Sequence, residues 1–133
     1  MARFTFPVRV YYEDTDAGGV VYHANYLRFM ERARTEWLRA RGFEQDELRA
    51  RLGILFAVHR VQADFLKPAR FNDRLEVSVE VTRRGPASIE FRQSVCRGSE
   101  VLCAGQVRVA CLDATSFSPQ ALPPEVADRI AAD

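Results

Sequence analysis

The chain has 133 residues, 47% of them hydrophobic and 28% charged, with a formal net charge of +1 at pH 7. That length makes one domain over residues 1–133 the expectation, large enough to bury a core without staples. The composition excludes a disordered chain, and the balanced charge gives no electrostatic case for nucleic acid or a membrane surface as partner. No apolar run approaches the roughly 20 residues that span a bilayer, so no transmembrane segment is expected. Met1 to Pro7 lack the apolar core of a signal peptide. Cys96, Cys103 and Cys111 form no C-x-x-C pair, and an odd count suits reduced thiols; a cytoplasmic protein is the simplest reading. His23 and His59 lie far apart and away from any cysteine pair, so no metal site is expected.

Residues 4–14 read as a strand, with Val8, Val10 and Tyr12 on one parity and Arg9, Tyr11 and Glu13 on the other. Gly18-Gly19 breaks residues 15–23 into a loop. From Ala24 to about Arg41 the pattern is helical: Tyr26, Met30, Ala33 and Trp37 share a face widened by Leu27, Phe29 and Leu38, and Arg32 and Glu36 stand four apart, able to pair. Gly42 is placed as a helix stop, and a short helix is expected from about Glu44 to Leu52. Four strand-like segments follow, at 54–66, 74–84, 87–97 and 101–112, divided by turns at Gly85-Pro86 and Gly98-Ser99. In the first of these, His59 shares parity with Leu55, Ala57, Val61, Ala63 and Phe65, which reads as a hydrogen-bonded structural histidine. A terminal helix is expected from Pro124 to Ala131. Short turns imply antiparallel neighbours. An antiparallel sheet curled around one long helix is the economical α+β arrangement, and the sheet face it leaves open predicts pairing with a second copy.

Residues 13–26 carry the densest chemistry. They set Glu13, Asp14, Asp16, a glycine pair and His23 between a strand and a helix. Backbone amides at a helix start lack intrahelical acceptors and carry partial positive charge. On spacing alone Asp16 reads either as an active-site acid or as a turn former.

The run Val8-Arg-Val-Tyr-Tyr-Glu-Asp-Thr-Asp-Ala-Gly-Gly-Val-Val-Tyr-His-Ala-Asn-Tyr26 resembles the signature of hotdog-fold acyl-CoA thioesterases of the 4-hydroxybenzoyl-CoA thioesterase type, and is most similar to the bacterial branch associated with the Tol-Pal envelope system. The similarity continues through Glu31-Arg-Ala-Arg-Thr-Glu36 and Asp64-Phe-Leu-Lys-Pro-Ala-Arg-Phe-Asn-Asp73, and covers most of residues 8–112. The resemblance implies a long helix wrapped by a five-stranded antiparallel sheet, and homodimers or homotetramers with active sites at the dimer interface. It implies hydrolysis of acyl-CoA, of short aliphatic chain, to free acid and CoA, with neither metal nor cofactor. Asp16 matches the catalytic aspartate, as nucleophile or as general base. The oxyanion donor maps to the His23 amide, with Tyr22 adjacent. Gly18 and Gly19, with Val20 and Val21, let substrate approach the backbone.

The His23 side chain reads equally as an aid to Asp16, water or thiolate and as a helix-start or interface residue. Asn25 reads as a helix-start residue or as a support or substrate contact of the site, Asp14 as a solvated acid or as one that tunes Asp16 by like-charge repulsion, and Glu31 as a supporting candidate. Tyr26 and Phe29 are candidates for the acyl pocket or for core. Lys67, Arg70, Arg83, Arg84 and Arg97, with Ser88, are candidates for the CoA phosphates or for plain basic surface. The cysteines read as inert core residues.

Three other functions compete. One is an aromatic, 4-hydroxybenzoyl-CoA thioesterase, disfavoured because those members tend to carry proline where this chain has His23. Another is a binding module for acyl-CoA or acyl-carrier protein at the envelope-lipid machinery. The last is a hotdog-fold dehydratase, whose histidine–acid motif this chain lacks.

Overall fold

The computed structural model describes residues 3–130. Its strands are β1 (Phe4–Arg9), β2 (Ile54–Phe65), β3 (Arg74–Arg84), β4 (Ser88–Arg97) and β5 (Glu100–Asp113). The long helix α1 (His23–Ala40) follows β1; α2 (Gln45–Glu47) runs into a π-helical turn over Leu48–Leu52, and α3 (Pro124–Ala127) comes last. The fold is α+β, as expected. All pairings are antiparallel in the order β1-β3-β4-β5-β2, which leaves β1 and β2 as the two edges. No helix among the described residues is long and apolar enough to cross a membrane.

Helical spacing of apolar residues gives α1 its buried face: Tyr26, Phe29, Met30, Ala33 and Trp37 all sink into the core. The helix stops where Gly42 turns to φ 89°, and the amides of Gly42 and Phe43 close back on the carbonyls of Arg39 and Leu38. Period-two alternation fixes the opposing sheet face, with Leu75, Val77, Val79 and Val81 on β3, Ile89, Phe91 and Val95 on β4, and Cys103, Val107, Val109 and Cys111 on β5. Gly105 belongs to that row because a Cβ there would meet Met30 Cε at 3.0 Å; its absence lets helix and sheet close up. Gln93 is the polar member of the face. Its amide nitrogen donates to the Met30 carbonyl at 3.0 Å, and its oxygen accepts from Arg34 at 2.9 Å, so burial leaves neither group unpaired.

Four expectations need correction. The first strand ends at Arg9, not residue 14, because the chain bends into a 3-10 turn over Tyr12–Asp14. His59 does not share the apolar row. A register shift between Val58 and Arg60 puts Phe56, Val58, Val61, Ala63 and Phe65 opposite the inward row of β5 and leaves His59 exposed at the irregularity. Arg32 lies over the Phe29 ring, while Glu36 pairs with Arg39. The last helix closes at Ala127, and the expected end at Ala131 lies outside the described residues.

Candidate active site

The chain between β1 and α1 folds as a small hairpin. Thr15 bridges Val21, the Asp16 amide donates to the Val20 carbonyl at 2.9 Å, and the Tyr22 amide donates to the Asp14 carbonyl at 2.9 Å. The return strand is fastened to the body, with Val20 bridging Arg70 and the Val21 amide donating to the Ala69 carbonyl at 2.9 Å. Asp16 sits at the tip, exposed to solvent. Its Oδ1 accepts the Gly18 amide at 2.8 Å, and its carbonyl accepts the Gly19 amide at 3.0 Å. Glycine suits both turn positions. Gly19 takes φ 79°, and a Cβ on Gly18 would stand 3.2 Å from Asp16 Oδ1. One carboxylate oxygen is thus held by the turn, and the other accepts no hydrogen bond among the described residues.

The hairpin runs directly into the start of α1. Tyr22 is the N-cap residue and offers no side-chain cap. Its amide is already spent on Asp14, so the expected neighbouring role for Tyr22 in holding an oxyanion has no free donor. Among the described residues the amides of His23 and Ala24 make no backbone hydrogen bond outside the helix, as first-turn amides do. The His23 ring is exposed, tilted against Tyr22 with centroids 4.4 Å apart and edge-on to Phe65 at 6.0 Å. Glycine turn, carboxylate, free helix amides and an aromatic rim therefore share one loop at one end of the sheet.

The remaining candidates separate into three groups. Asn25 and Tyr26 are buried and face inward. Asn25 donates to Asp14 Oδ1, and the Tyr26 hydroxyl accepts the Ala69 amide at 2.9 Å. Burial pushes the Tyr26 phenol above its ordinary range. Both brace the loop instead of presenting a surface to substrate, and Phe29 is fully buried core. Asp14 is likewise not the solvated acid expected but is 4% exposed.

Lys67, Arg70 and Arg97 lie at the same end of the sheet as Asp16. Lys67 and Arg97 share Glu100 at 3.1 and 3.0 Å, and their hydrogen bonds hold its carboxyl below the usual range. Arg83, Arg84 and Ser88 lie at the opposite end. Antiparallel pairing puts Arg74 beside Arg9, and β3 then runs away for about 33 Å. There Arg84 donates to the Ala127 carbonyl, and Ser88 closes the turn by accepting the Gly85 amide at 2.8 Å. Within one chain these three do not meet Asp16. Glu31 accepts from Thr35 at 2.7 Å and lines a mainly apolar cavity of about 110 Å³ with Arg34, Trp37, Phe56 and Phe91. That cavity lies along α1 and excludes Asp16, whose surroundings are open surface.

Sequence reasoning missed the bracing role of Asp14. Its signal was available only as spacing, an acid two residues before Asp16 and an amide two residues after His23.

Residues 18–104 match the family described as the thioesterase superfamily. The acyl-CoA thioesterase YbgC of Haemophilus influenzae is 48% identical over 92% of this chain and 90% of its own. The acyl-CoA thioester hydrolase YbgC of Escherichia coli is 44% identical over 92% of each. A probable thioesterase from Bartonella henselae superposes with a TM-score of 0.87 at 34% identity, over 92% of this chain and 100% of its own. The chain therefore belongs to the thioesterase superfamily and has the hotdog fold of those enzymes.

Proposed function

We propose that this chain hydrolyses short aliphatic acyl-CoA thioesters with Asp16 as the attacking or base group and the His23 amide as the oxyanion donor. The observation that carries the reading is the hairpin itself: one Asp16 oxygen is tied to the Gly18 amide, the other is free, and the chain leads straight into unpaired helix-start amides. As nucleophile, the carboxylate oxygen bonds to the thioester carbon, the C–S bond breaks and CoA leaves as thiolate; water then hydrolyses the anhydride. As base, Asp16 takes a proton from water while the water oxygen bonds to that carbon, and the proton passes on to the leaving sulfur. In both routes negative charge grows on the carbonyl oxygen, where one well-placed amide is worth roughly 100- to 1000-fold in rate.

A homodimer is the proposed working unit. The outer edge of β2 has no strand beside it, and Val58, Val61 and Phe65 on that strand are 50%, 37% and 50% exposed. A second copy on that edge covers them. Such pairing is also the proposed route by which the Arg83–Arg84–Ser88 turn of one copy approaches the Asp16 loop of the other. Lys67 and Arg70 are the proposed phosphate contacts within the same chain.

The test is thiol release across acetyl-, butyryl-, octanoyl- and 4-hydroxybenzoyl-CoA and a butyryl-acyl-carrier protein. Highest kcat/KM on the short aliphatic CoA esters is expected. Preference for the aromatic ester or for the carrier-protein ester sinks the substrate assignment. Rapid-quench mass spectrometry separates the two routes, because only the nucleophilic one leaves an acyl mass on the peptide carrying Asp16.

A further inference from the structure

Asp14 is a buried carboxylate, yet none of its direct partners among the described residues is a cation. Oδ2 accepts the Tyr11 amide at 2.8 Å and Oδ1 accepts the Asn25 side-chain amide at 2.8 Å. Asn25 is itself 5% exposed, and its Oδ1 accepts from Arg28 at 3.2 Å. Main chain completes the knot: the Asp14 carbonyl accepts the Tyr22 amide at 2.9 Å, and the Tyr22 carbonyl accepts the Asn25 amide at 2.8 Å. Burying a carboxylate away from a countercharge costs free energy that a neutral pair would avoid. What this carboxylate offers in return is acceptance from two donors at once in fixed directions, beside the positive end of α1.

The location gives that geometry a purpose. Asp14 lies two residues before Asp16, and Asn25 lies two residues after His23. The bond between them ties the outgoing arm of the hairpin to the first turn of the helix, and so fixes the spacing between attacking carboxylate and oxyanion amide. Reacting atoms tolerate little misplacement; a shift of about 1 Å can cost roughly 100-fold.

We infer that Asp14 and Asn25 form a positioning pair that sets the Asp16-to-His23 geometry, with Arg28 orienting the Asn25 amide so that its nitrogen faces Asp14. The inference rests on the proposed hydrolysis for its kinetic reading and on backbone exchange for an independent one. Neither residue touches the reacting atoms.

The experiment compares the native chain with Asn25→Ala and Asn25→Asp, by steady-state kinetics on butyryl-CoA from pH 6 to 8.5 and by amide hydrogen exchange. Asn25→Ala is expected to lower kcat by roughly 10- to 100-fold with KM within about threefold. The amides of Gly18 and Tyr22 should exchange at least about tenfold faster, with β3 and β4 unchanged. Asn25→Asp sets two carboxylates against each other, so it should be slow at pH 8.5 and recover as the pH falls and one shared proton replaces the lost amide donor. Asn25→Ala keeps every other titrating group, His23 included, and should show no such recovery. If Asn25→Ala does not fold, the acid recovery of Asn25→Asp carries the test. A kcat within twofold of native in Asn25→Ala, or one pH profile shared by Asn25→Asp and native, overturns the pair as a positioning device. So does unchanged exchange in the loop, whatever the activity. A native chain that releases no thiol from any ester overturns the proposed reaction separately.

Discussion

The two ends of the sheet are built on opposite plans. At the far end, Leu122, Val126 and Ile130 are buried, and the Leu122 amide is bonded to the Pro86 carbonyl in the turn that carries Gly85. Arginines tie that segment down: Arg51 meets Glu125 through two hydrogen bonds, Arg84 donates to the Ala127 carbonyl and Arg129 stacks on Phe43. At the near end, Asp16 is exposed among the described residues, and Tyr12, Phe65, Leu66 and Phe71 are all at least half exposed. The far end satisfies itself, whereas the near end is ordered by the Asp14–Asn25 pair, the Tyr26–Ala69 bond, the ion pairs of Lys67 and Arg97 and backbone bonds, with its outer face open. Apolar surface of that kind beside an uncovered strand edge is what the proposed second copy would cover. The contrast teaches that rigidity and coverage are separate properties: the loop is fixed from below so that its top can stay open.

Four changes test that contrast. Asp16→Asn should produce the largest effect, a loss of roughly 10²- to 10⁴-fold in turnover. Its melting temperature should match the native one within a few degrees, because the side chain is exposed and asparagine can still accept the Gly18 amide. Thiol release and a thermal melt read both, and full activity would remove Asp16 from the mechanism. Val61→Glu on the free edge should come next. Burying an unpaired carboxylate costs several kcal/mol, so dimerisation should weaken by at least about 100-fold, seen by sedimentation, with turnover falling in parallel. An unchanged oligomer would place the contact elsewhere.

Val126→Ala at the covered end should separate stability from activity. It should destabilise the chain by about 1–3 kcal/mol in urea melts while kcat stays within twofold. A matching loss of kcat would mean the two ends are coupled. The smallest effect concerns Cys103, paired across from Phe65 near the loop, and Cys111, paired across from Phe56 towards the other end. Burial pushes both thiols up from 9.0 to about 11. Folding thus favours the protonated form, and its contribution is whole below the unfolded thiol range and fades as pH rises from about 9 to about 11. Urea melts at stepped pH should be flat on this account below 9 and decline above it; no alkaline decline would show that neither thiol is held protonated by the fold.

Much of the architecture was legible from periodicity alone. Alternation at 74–84 matches the observed strand residue for residue, and the helical spacing of Tyr26, Met30, Ala33 and Trp37 gave the buried face of α1. Those signals are local, and burial of one face is their direct cause. The Gly18-Gly19 turn was legible for the same reason, since Gly19 sits at a positive φ that favours glycine. The site beyond Asp16, the glycines and the helix start was far less so. Asn25 and Tyr26 lie in a helical pattern that says which way they face but not what they bond, and the partners of Asn25 and Tyr26, Asp14 and Ala69, are 11 and 43 residues away. Arg83 and Arg84 were grouped with Lys67 by charge, a property that carries no position; strand direction put them at the far end.

By itself, then, the sequence determined the elements, their inward faces and the residue types the tight turn requires, because each follows from neighbours a few positions apart. Tertiary structure alone decided three things. The shift at Val58 and Arg60 turned His59 out of the apolar row, the chain bent at Tyr12–Asp14 and drew Asp14 inward, and the amide of Tyr22 was consumed while that of His23 was left free. Each depends on which groups compete for the same hydrogen bond or the same interior space, and that competition is settled only when distant segments meet.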